Sequence, residues 1–198
     1  MQPAGASESS DPVVQSIYED SKRRMWIGTS DGLYLYNREE NSFSYYRHYP
    51  AVASSLVGNA VRSITEDATG TIWIGTEQGL SMLLPDGKNF KNFRHVAGDK
   101  STLTSNEIYS MAADAKGKLW LGTEDGLNVL DIRSFKIDVY RPDSRDIHSL
   151  SAKSIRSVYI DKQGIYWLGT FKGGISKHNK NLSLFNLKQS NPFDSKGL

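Results

Sequence analysis

Apolar residues in this chain come in short runs that recur at a fixed interval. Val14, Val61, Ile108 and Ile155 each stand 12 residues before a Trp, and Ile17, Ile64, Met111 and Val158 stand 9 before it. The runs around them, such as Ala60-Val61-Arg62-Ser63-Ile64-Thr65-Glu66, are rich in β-branched residues and bounded by turn formers, which predicts strands. The Trp sits in a second run: Met25-Trp26-Ile27-Gly28-Thr29, Ile72-Trp73-Ile74-Gly75-Thr76, Leu119-Trp120-Leu121-Gly122-Thr123 and Tyr166-Trp167-Leu168-Gly169-Thr170. Three apolar residues in succession predict a strand buried on both faces. These are the only 4 Trp, and each lies 47 residues from the next. A period of that size marks a repeat architecture.

Polar residues punctuate the runs at the same interval. Asp67-Ala68-Thr69-Gly70, Asp114-Ala115-Lys116-Gly117 and Asp161-Lys162-Gln163-Gly164 join the first run to the second. The Asp can accept from amides two residues on, and Gly takes positive φ without steric cost. The first copy, Asp20-Ser21-Lys22-Arg23, has Arg in place of Gly, which predicts a looser turn. Thr-x-x-Gly then makes a second hairpin. Third strands are predicted at Leu33–Tyr36, Leu80–Leu83, Leu127–Leu130 and Ile175–His178. Fourth strands are predicted at Phe43–Arg47, Phe90–Arg94, Phe135–Tyr140 and Leu182–Phe185.

Each unit is thus four short antiparallel strands, which cannot bury both faces alone. Packing units radially, face to face, gives an all-β fold: a β-propeller of four 47-residue blades forming a partial ring. The blades span about 13–48, 60–95, 107–142 and 154–187 within a propeller segment of 13–198. Residues 1–12, small and polar, read as a disordered leader without the features of a secretion signal. Leu198 falls in register with Leu56, Leu103 and Leu150, so the chain reads as a fragment of a longer array.

Composition narrows the chemistry. With 24 basic and 22 acidic residues the net charge is +2, and the charges are mixed along the chain, which argues against a nucleic-acid surface. No apolar run approaches a membrane span. Cysteine is absent, excluding disulfides and thiolate sites. The 4 His offer no metal-ligand spacing and no nucleophile–base arrangement. One registered Asp per turn falls short of the six to eight oxygens a calcium site needs. Glu19-Asp20, Glu66-Asp67 and Glu124-Asp125 are poor catalytic pairs, because neighbours on a strand point to opposite faces. Trp in such strands fits the core between blades better than a sugar platform. The reading is non-enzymatic, with no catalytic residue, metal or cofactor.

The phrase Ile-x-Glu-Asp-x-x-Gly-x-x-Trp-Ile-Gly-Thr-x-x-Gly-Leu, complete at Ile64 to Leu80, resembles the two-component regulator propeller repeat. WD40 is set aside because no Trp-Asp dipeptide occurs. The resemblance implies the periplasmic sensor region of bacterial receptors with a histidine kinase or a membrane diguanylate cyclase output. It also implies a seven-bladed ring, usually followed by a β-sandwich, a membrane helix and that output. This chain carries four blades and none of the later parts, so only the sensor role carries over. A non-catalytic scaffold is the second reading and a propeller enzyme of lyase or quinoprotein type the third.

Candidate ligand residues are those that vary inside the repeated frame. Eleven residues before each Trp stand Gln15, Arg62, Tyr109 and Arg156; fourteen before stand Asn59, Asn106 and Lys153. Arg62, Tyr109, Arg156, Asn59, Asn106 and Lys153, on the innermost strands and their links, are expected to bind an anionic small molecule or oligosaccharide at one rim. Four blades leave two blade faces uncovered, which leads to an expected homodimer through those open faces.

Overall fold

The structure, a computed structural model, describes residues 11–146, 149–178 and 185–188, the last as a backbone strand. Of the expected leader, only Asp11 and Pro12 fall within it. Blade 1 is β1 (Val14–Glu19), β2 (Met25–Thr29), β3 (Gly32–Asn37) and β4 (Ser42–Tyr46). Blade 2 is β5 (Val61–Glu66), β6 (Ile72–Thr76), β7 (Gly79–Leu83) and β8 (Phe90–Phe93). Blade 3 is β9 (Ile108–Ala113), β10 (Lys118–Thr123), β11 (Gly126–Asp131) and β12 (Ile137–Tyr140). Blade 4 is β13 (Ile155–Ile160), β14 (Tyr166–Thr170), β15 (Gly174–His178) and β16 (Phe185–Lys188). Every blade is an antiparallel sheet in simple sequence order, and the blades form a partial propeller.

Two fourth strands depart from expectation. β12 starts at Ile137, because Phe135 takes a left-handed φ of 58° and its amide closes a turn onto the Asp131 carbonyl at 2.8 Å. β16 starts at Phe185, whereas the expected strand began at Leu182; Leu182–Leu184 lie outside the described residues.

The core lies between blades. Trp26 and Leu33 of blade 1 meet Val61, Ile64, Ile72 and Ile74 of blade 2. Trp73 and Leu80 meet Ile108, Met111, Leu119 and Leu121. Trp120 and Leu127 meet Ile155, Val158, Tyr166 and Leu168. At each of these three junctions the second strand of one blade sends its Trp toward the following blade, whose own second strand turns its flanking aliphatics back, as period-two alternation requires. Call these the trailing and leading faces. The Gly after the Trp run lets the next blade approach: a Cβ on Gly75 would sit 2.7 Å from Ile108 Cγ2, and one on Gly122 2.8 Å from the Ile155 carbonyl oxygen. First strands of neighbouring blades pack on each other and so line the channel.

The turn Asp does more than cap. In each blade one carboxylate oxygen accepts amides two and four residues on, and the other accepts the Trp indole N–H six residues on. The indole bonds measure 2.9, 2.7, 3.1 and 2.9 Å at Trp26, Trp73, Trp120 and Trp167. The Trp is thereby satisfied without water, which removes the cost of burying its one polar atom. Burial works to raise the Asp20 carboxyl, but the Trp26 indole and the Arg24 amide and guanidinium outweigh it and hold the group below its ordinary value. At Asp161 the Trp167 indole and the Ile165 amide do the same.

The first-copy turn is not looser. Arg23 adopts φ 62° and donates its amide to the Asp20 carbonyl at 2.8 Å, just as Gly70 does to Asp67 at 2.9 Å. The Asp20 network imposes the turn on a residue that disfavours it.

Candidate functional site

One rim of the channel is built by the starts of the first strands and by the hairpins joining second to third strands. At the start of every first strand the register slips: Val14 pairs Thr29 but Ser16 pairs Gly28, and Val61 pairs Thr76 but Ser63 pairs Gly75. The same slip separates Ile108 from Ser110 and Ile155 from Ser157. The extra residue in each β-bulge is Gln15, Arg62, Tyr109 or Arg156. A bulge re-aims the side chain it carries. The repeat thus lifts one residue per blade out of the ladder, and it is the residue that varies.

Three of these come together. The Arg156 guanidinium lies 3.8 Å from the Tyr109 ring centroid, and that of Arg62 lies 5.0 Å from the same ring. Tyr109 shares its hydroxyl proton between Glu107, at 2.7 Å, and Glu124, at 3.0 Å. Arg62 donates to Glu107 at 3.1 Å and Arg156 to Glu124 at 3.2 Å. The Ser154 hydroxyl donates to Glu124 at 2.9 Å. Burial and the bonds to both carboxylates push the Tyr109 hydroxyl up to about 12. The Tyr109 hydroxyl and then Arg62 hold the Glu107 carboxyl below its ordinary value. The result is a charge-balanced ladder across blades 2, 3 and 4, in which the carboxylates of Glu107 and Glu124 already engage the arginines that the sequence reading had expected to meet an anionic or sugar-like ligand. Exposed Phe171 extends it, with the Arg156 guanidinium 5.1 Å from its ring.

The other three expected residues do not join the ladder. Asn59 Oδ1 accepts the His48 amide at 2.8 Å, and Asn106 Oδ1 accepts the His95 amide at 2.7 Å. Both Asn side chains fasten the link between blades, with the histidines: His48 Nδ1 lies 2.7 Å from the Leu56 carbonyl and His95 Nδ1 2.6 Å from that of Leu103. Lys153 uses its backbone carbonyl, which accepts the Gly126 amide at 2.6 Å, while its side chain is exposed.

Glu107 escaped the sequence reading and Glu124 entered it only as half of a dismissed acidic pair, although the signal that found Arg62 also marks both. Glu107 occupies the register of Val13, Ala60 and Ser154; Glu124 that of Ser30, Glu77 and Phe171. Glu124-Asp125 is a hairpin loop, not strand, so its residues diverge for a different reason: Glu124 turns to Tyr109, and Asp125 takes Arg141 at 2.8 Å. Among the described residues no group of three or more His, Asp or Glu is placed to hold a metal.

Stacked four-stranded sheets with first strands along a channel define a β-propeller. Residues 7–31, 55–78, 102–125 and 149–172 match the two component regulator propeller model, each match running from a link through the first hairpin. The chain belongs to that family of propeller repeats. No curated protein matches it. Solved structures share its fold. The extracellular domain assigned to the hybrid two component system BT3049 of B. thetaiotaomicron is 22% identical with a TM-score of 0.74, over 89% of this chain and 24% of that one. Virginiamycin B lyase from Staphylococcus aureus, solved in inactive form with quinupristin, is 13% identical with a TM-score of 0.67, over 96% and 60%. PorZ, a surface component of the type-IX secretion system of Porphyromonas gingivalis, is 17% identical with a TM-score of 0.61, over 89% and 27%. The chain therefore spans about a quarter of the BT3049 domain, and at these identities the likeness is one of fold.

Proposed function

We propose that these blades belong to the sensing or interaction propeller of a bacterial signal-transduction receptor. They work outside the cytoplasm, in the periplasm, and do no chemistry themselves. A histidine kinase or diguanylate cyclase output belongs, on this reading, to the receptor and not to the blades. The observation that carries it is the bulge: an invariant frame that raises Arg62, Tyr109 and Arg156 onto one rim. The family membership and the likeness to the BT3049 extracellular domain support it.

The ligand class follows from the ladder. Two guanidinium groups flank an aromatic ring, with carboxylates between them, so the rim offers planar stacking, donors and acceptors together. That suits an acidic sugar, whose carboxylate takes the arginines while its hydroxyls take Glu107 and Glu124. Calorimetry with a galacturonic acid trisaccharide tests this, with maltotriose as the uncharged control. Binding of the acidic sugar that falls at least tenfold in an Arg62→Ala/Arg156→Ala variant of unchanged circular dichroism supports the site. Equal binding by the variant overturns it. The lyase likeness motivates a second, enzymatic reading; mass spectrometry of quinupristin after incubation tests it, and a cleaved product would favour it.

A further inference from the structure

Blades 2 and 3 receive their incoming links differently, and the difference opens a hollow. At blade 2 the link is fastened by two side chains from the outer strand β8 and its end. The Asn92 carboxamide donates to the Ala53 carbonyl at 3.0 Å and to the Ser55 carbonyl at 2.8 Å, while its Oδ1 accepts the Ser81 hydroxyl at 2.7 Å. Arg94 donates to the Val57 carbonyl at 3.0 Å. Ser55 and Val57 are buried. Blade 3 repeats the frame without the fasteners. Val139 pairs with Asn128 as Asn92 pairs with Ser81. Its isopropyl group donates nothing to the carbonyls of Lys100 and Thr102, the counterparts of Ala53 and Ser55. Arg141 stands where Arg94 stands, but it donates to Asp125 at 2.8 Å. Thr102 and Thr104, in the register of Ser55 and Val57, are only half-buried.

The outcome is a hollow of 410 Å³ lined by Asp99, Lys100, Thr102, Thr104, Val139 and Arg141 among others, a volume within the range of small-molecule sites. It is formed by blade 3 and its own link, away from either terminal blade. Blade 2 shows which chemistry fits it: what rests on the two link carbonyls there is a primary carboxamide. Charge enters with the same change. Asp99 and Lys100 stand where the link into blade 2 has Val52 and Ala53. Asp99 turns one oxygen to Ser101 and Arg141 one nitrogen to Asp125, so each keeps further bonding capacity. Lys100 and Arg141 suit an α-carboxylate, and Asp99 suits an α-ammonium. We propose that this hollow binds a free amino acid with a carboxamide side chain, glutamine or asparagine. The ligand carboxamide donates to the Lys100 and Thr102 carbonyls, as Asn92 does to their counterparts in blade 2.

Calorimetry with L-glutamine and L-asparagine tests the site. L-glutamate and L-aspartate are the controls, alike in shape but with an oxygen in place of the N–H donors. The amides should bind at least about tenfold more tightly than the acids, because an acid leaves the link carbonyls facing an acceptor. Val139→Asn supplies the carboxamide from the chain itself and should weaken glutamine binding by a similar factor, with unchanged circular dichroism. Lys100→Ala, at an exposed link position, should weaken it too, and keeps the test decisive should Val139→Asn not fold. The Arg62→Ala/Arg156→Ala variant should bind glutamine as wild type does, because the hollow stands apart from the rim ladder. Four results overturn the proposal: no binding of either amide, equal binding of the acids, unchanged affinity in Lys100→Ala or in folded Val139→Asn, or loss of binding in the rim variant. Binding of a glutamine-containing peptide with blocked termini, but not of the free amino acid, overturns it as well and assigns the hollow to a protein partner.

Discussion

Ile17 and Ile64 occupy the same place in the repeat, nine residues before a Trp, on the same strand and the same face. One lies on a covered blade face and is buried; the other lies on an uncovered face and is exposed. Their blades have the same strand order and the same first and second turns. The difference shows where a propeller keeps its stability. A blade's hydrogen-bonded ladder forms within the blade, but nearly all its apolar burial is delivered by the neighbour. Burial at about 25 cal/mol per Å² therefore accrues per junction and not per blade.

The sharpest way to break the comparison is at the tryptophans. Trp73, within a junction, should cost about 3–5 kcal/mol when replaced by Ala, as other buried aromatics do. Trp167, on the open trailing face, should cost well under half as much. Urea titration of both variants measures the gap. Equal losses would mean that the blade 4 face is covered within one chain.

Next in size is the Asp that joins each turn to its Trp. In Asp67→Ala the Trp73 indole and two turn amides lose their acceptor inside a junction, a loss of about 1–3 kcal/mol for the buried donor. Asp161→Ala should cost less, because Trp167 is half-exposed and water can replace the carboxylate. Chemical denaturation midpoints compare them, and equal costs would contradict the covered-versus-open distinction.

The same network sets an acid limb. The Asp20 carboxyl is held below its ordinary value of 3.8, so the folded state binds its proton less readily than the unfolded chain. Its stabilisation is complete above that value and is lost as the pH falls through the lower, folded one. Asp20→Asn should be less stable than wild type at neutral pH, with the difference shrinking below 3.8. A difference independent of pH would show that Asp20 contributes shape and not charge.

The sequence made some of this plain and hid the rest for physical reasons. Period, strands and turns were legible because Trp, Asp and Gly recur at fixed offsets, and each has a local cause. The Asp–Trp bond was only half legible: the offset of six was visible, but that the hairpin folds the indole onto the carboxylate depends on antiparallel pairing. The bulge was hidden, since an extra residue in a ladder shows only against its partner strand. Arg62, Tyr109 and Arg156 stood out because they vary, and Asn59 and Asn106 stood out for the same reason while serving the links. Variation in a frame marks a position free of the repeat's rules; whether it faces a ligand or a neighbouring backbone is decided across blades. Glu107 and Arg62 meet over 45 residues, one junction away, which no local pattern encodes.

The smallest effect separates blade 1 from the others at a single backbone angle. Arg23 holds φ 62° where Gly70, Gly117 and Gly164 hold 82°, 78° and 73°. A side chain in that region costs roughly 1–2 kcal/mol through the clash of Cβ with the carbonyl, and glycine escapes it. Part of the gain from Arg23→Gly is offset by the greater entropy that glycine loses on folding. The net gain should be about 0.5–1 kcal/mol. Gly70→Arg makes the reverse change and isolates the angle, because a Cβ there would find its nearest neighbour, Glu66 Oε1, at an ordinary 3.6 Å. It should lose a similar amount. Thermal midpoints of the two variants should therefore move in opposite directions. If Arg23→Gly destabilises, the Arg23 side chain contributes contacts that outweigh its backbone strain, and the first turn differs from the others in substance as well as in sequence.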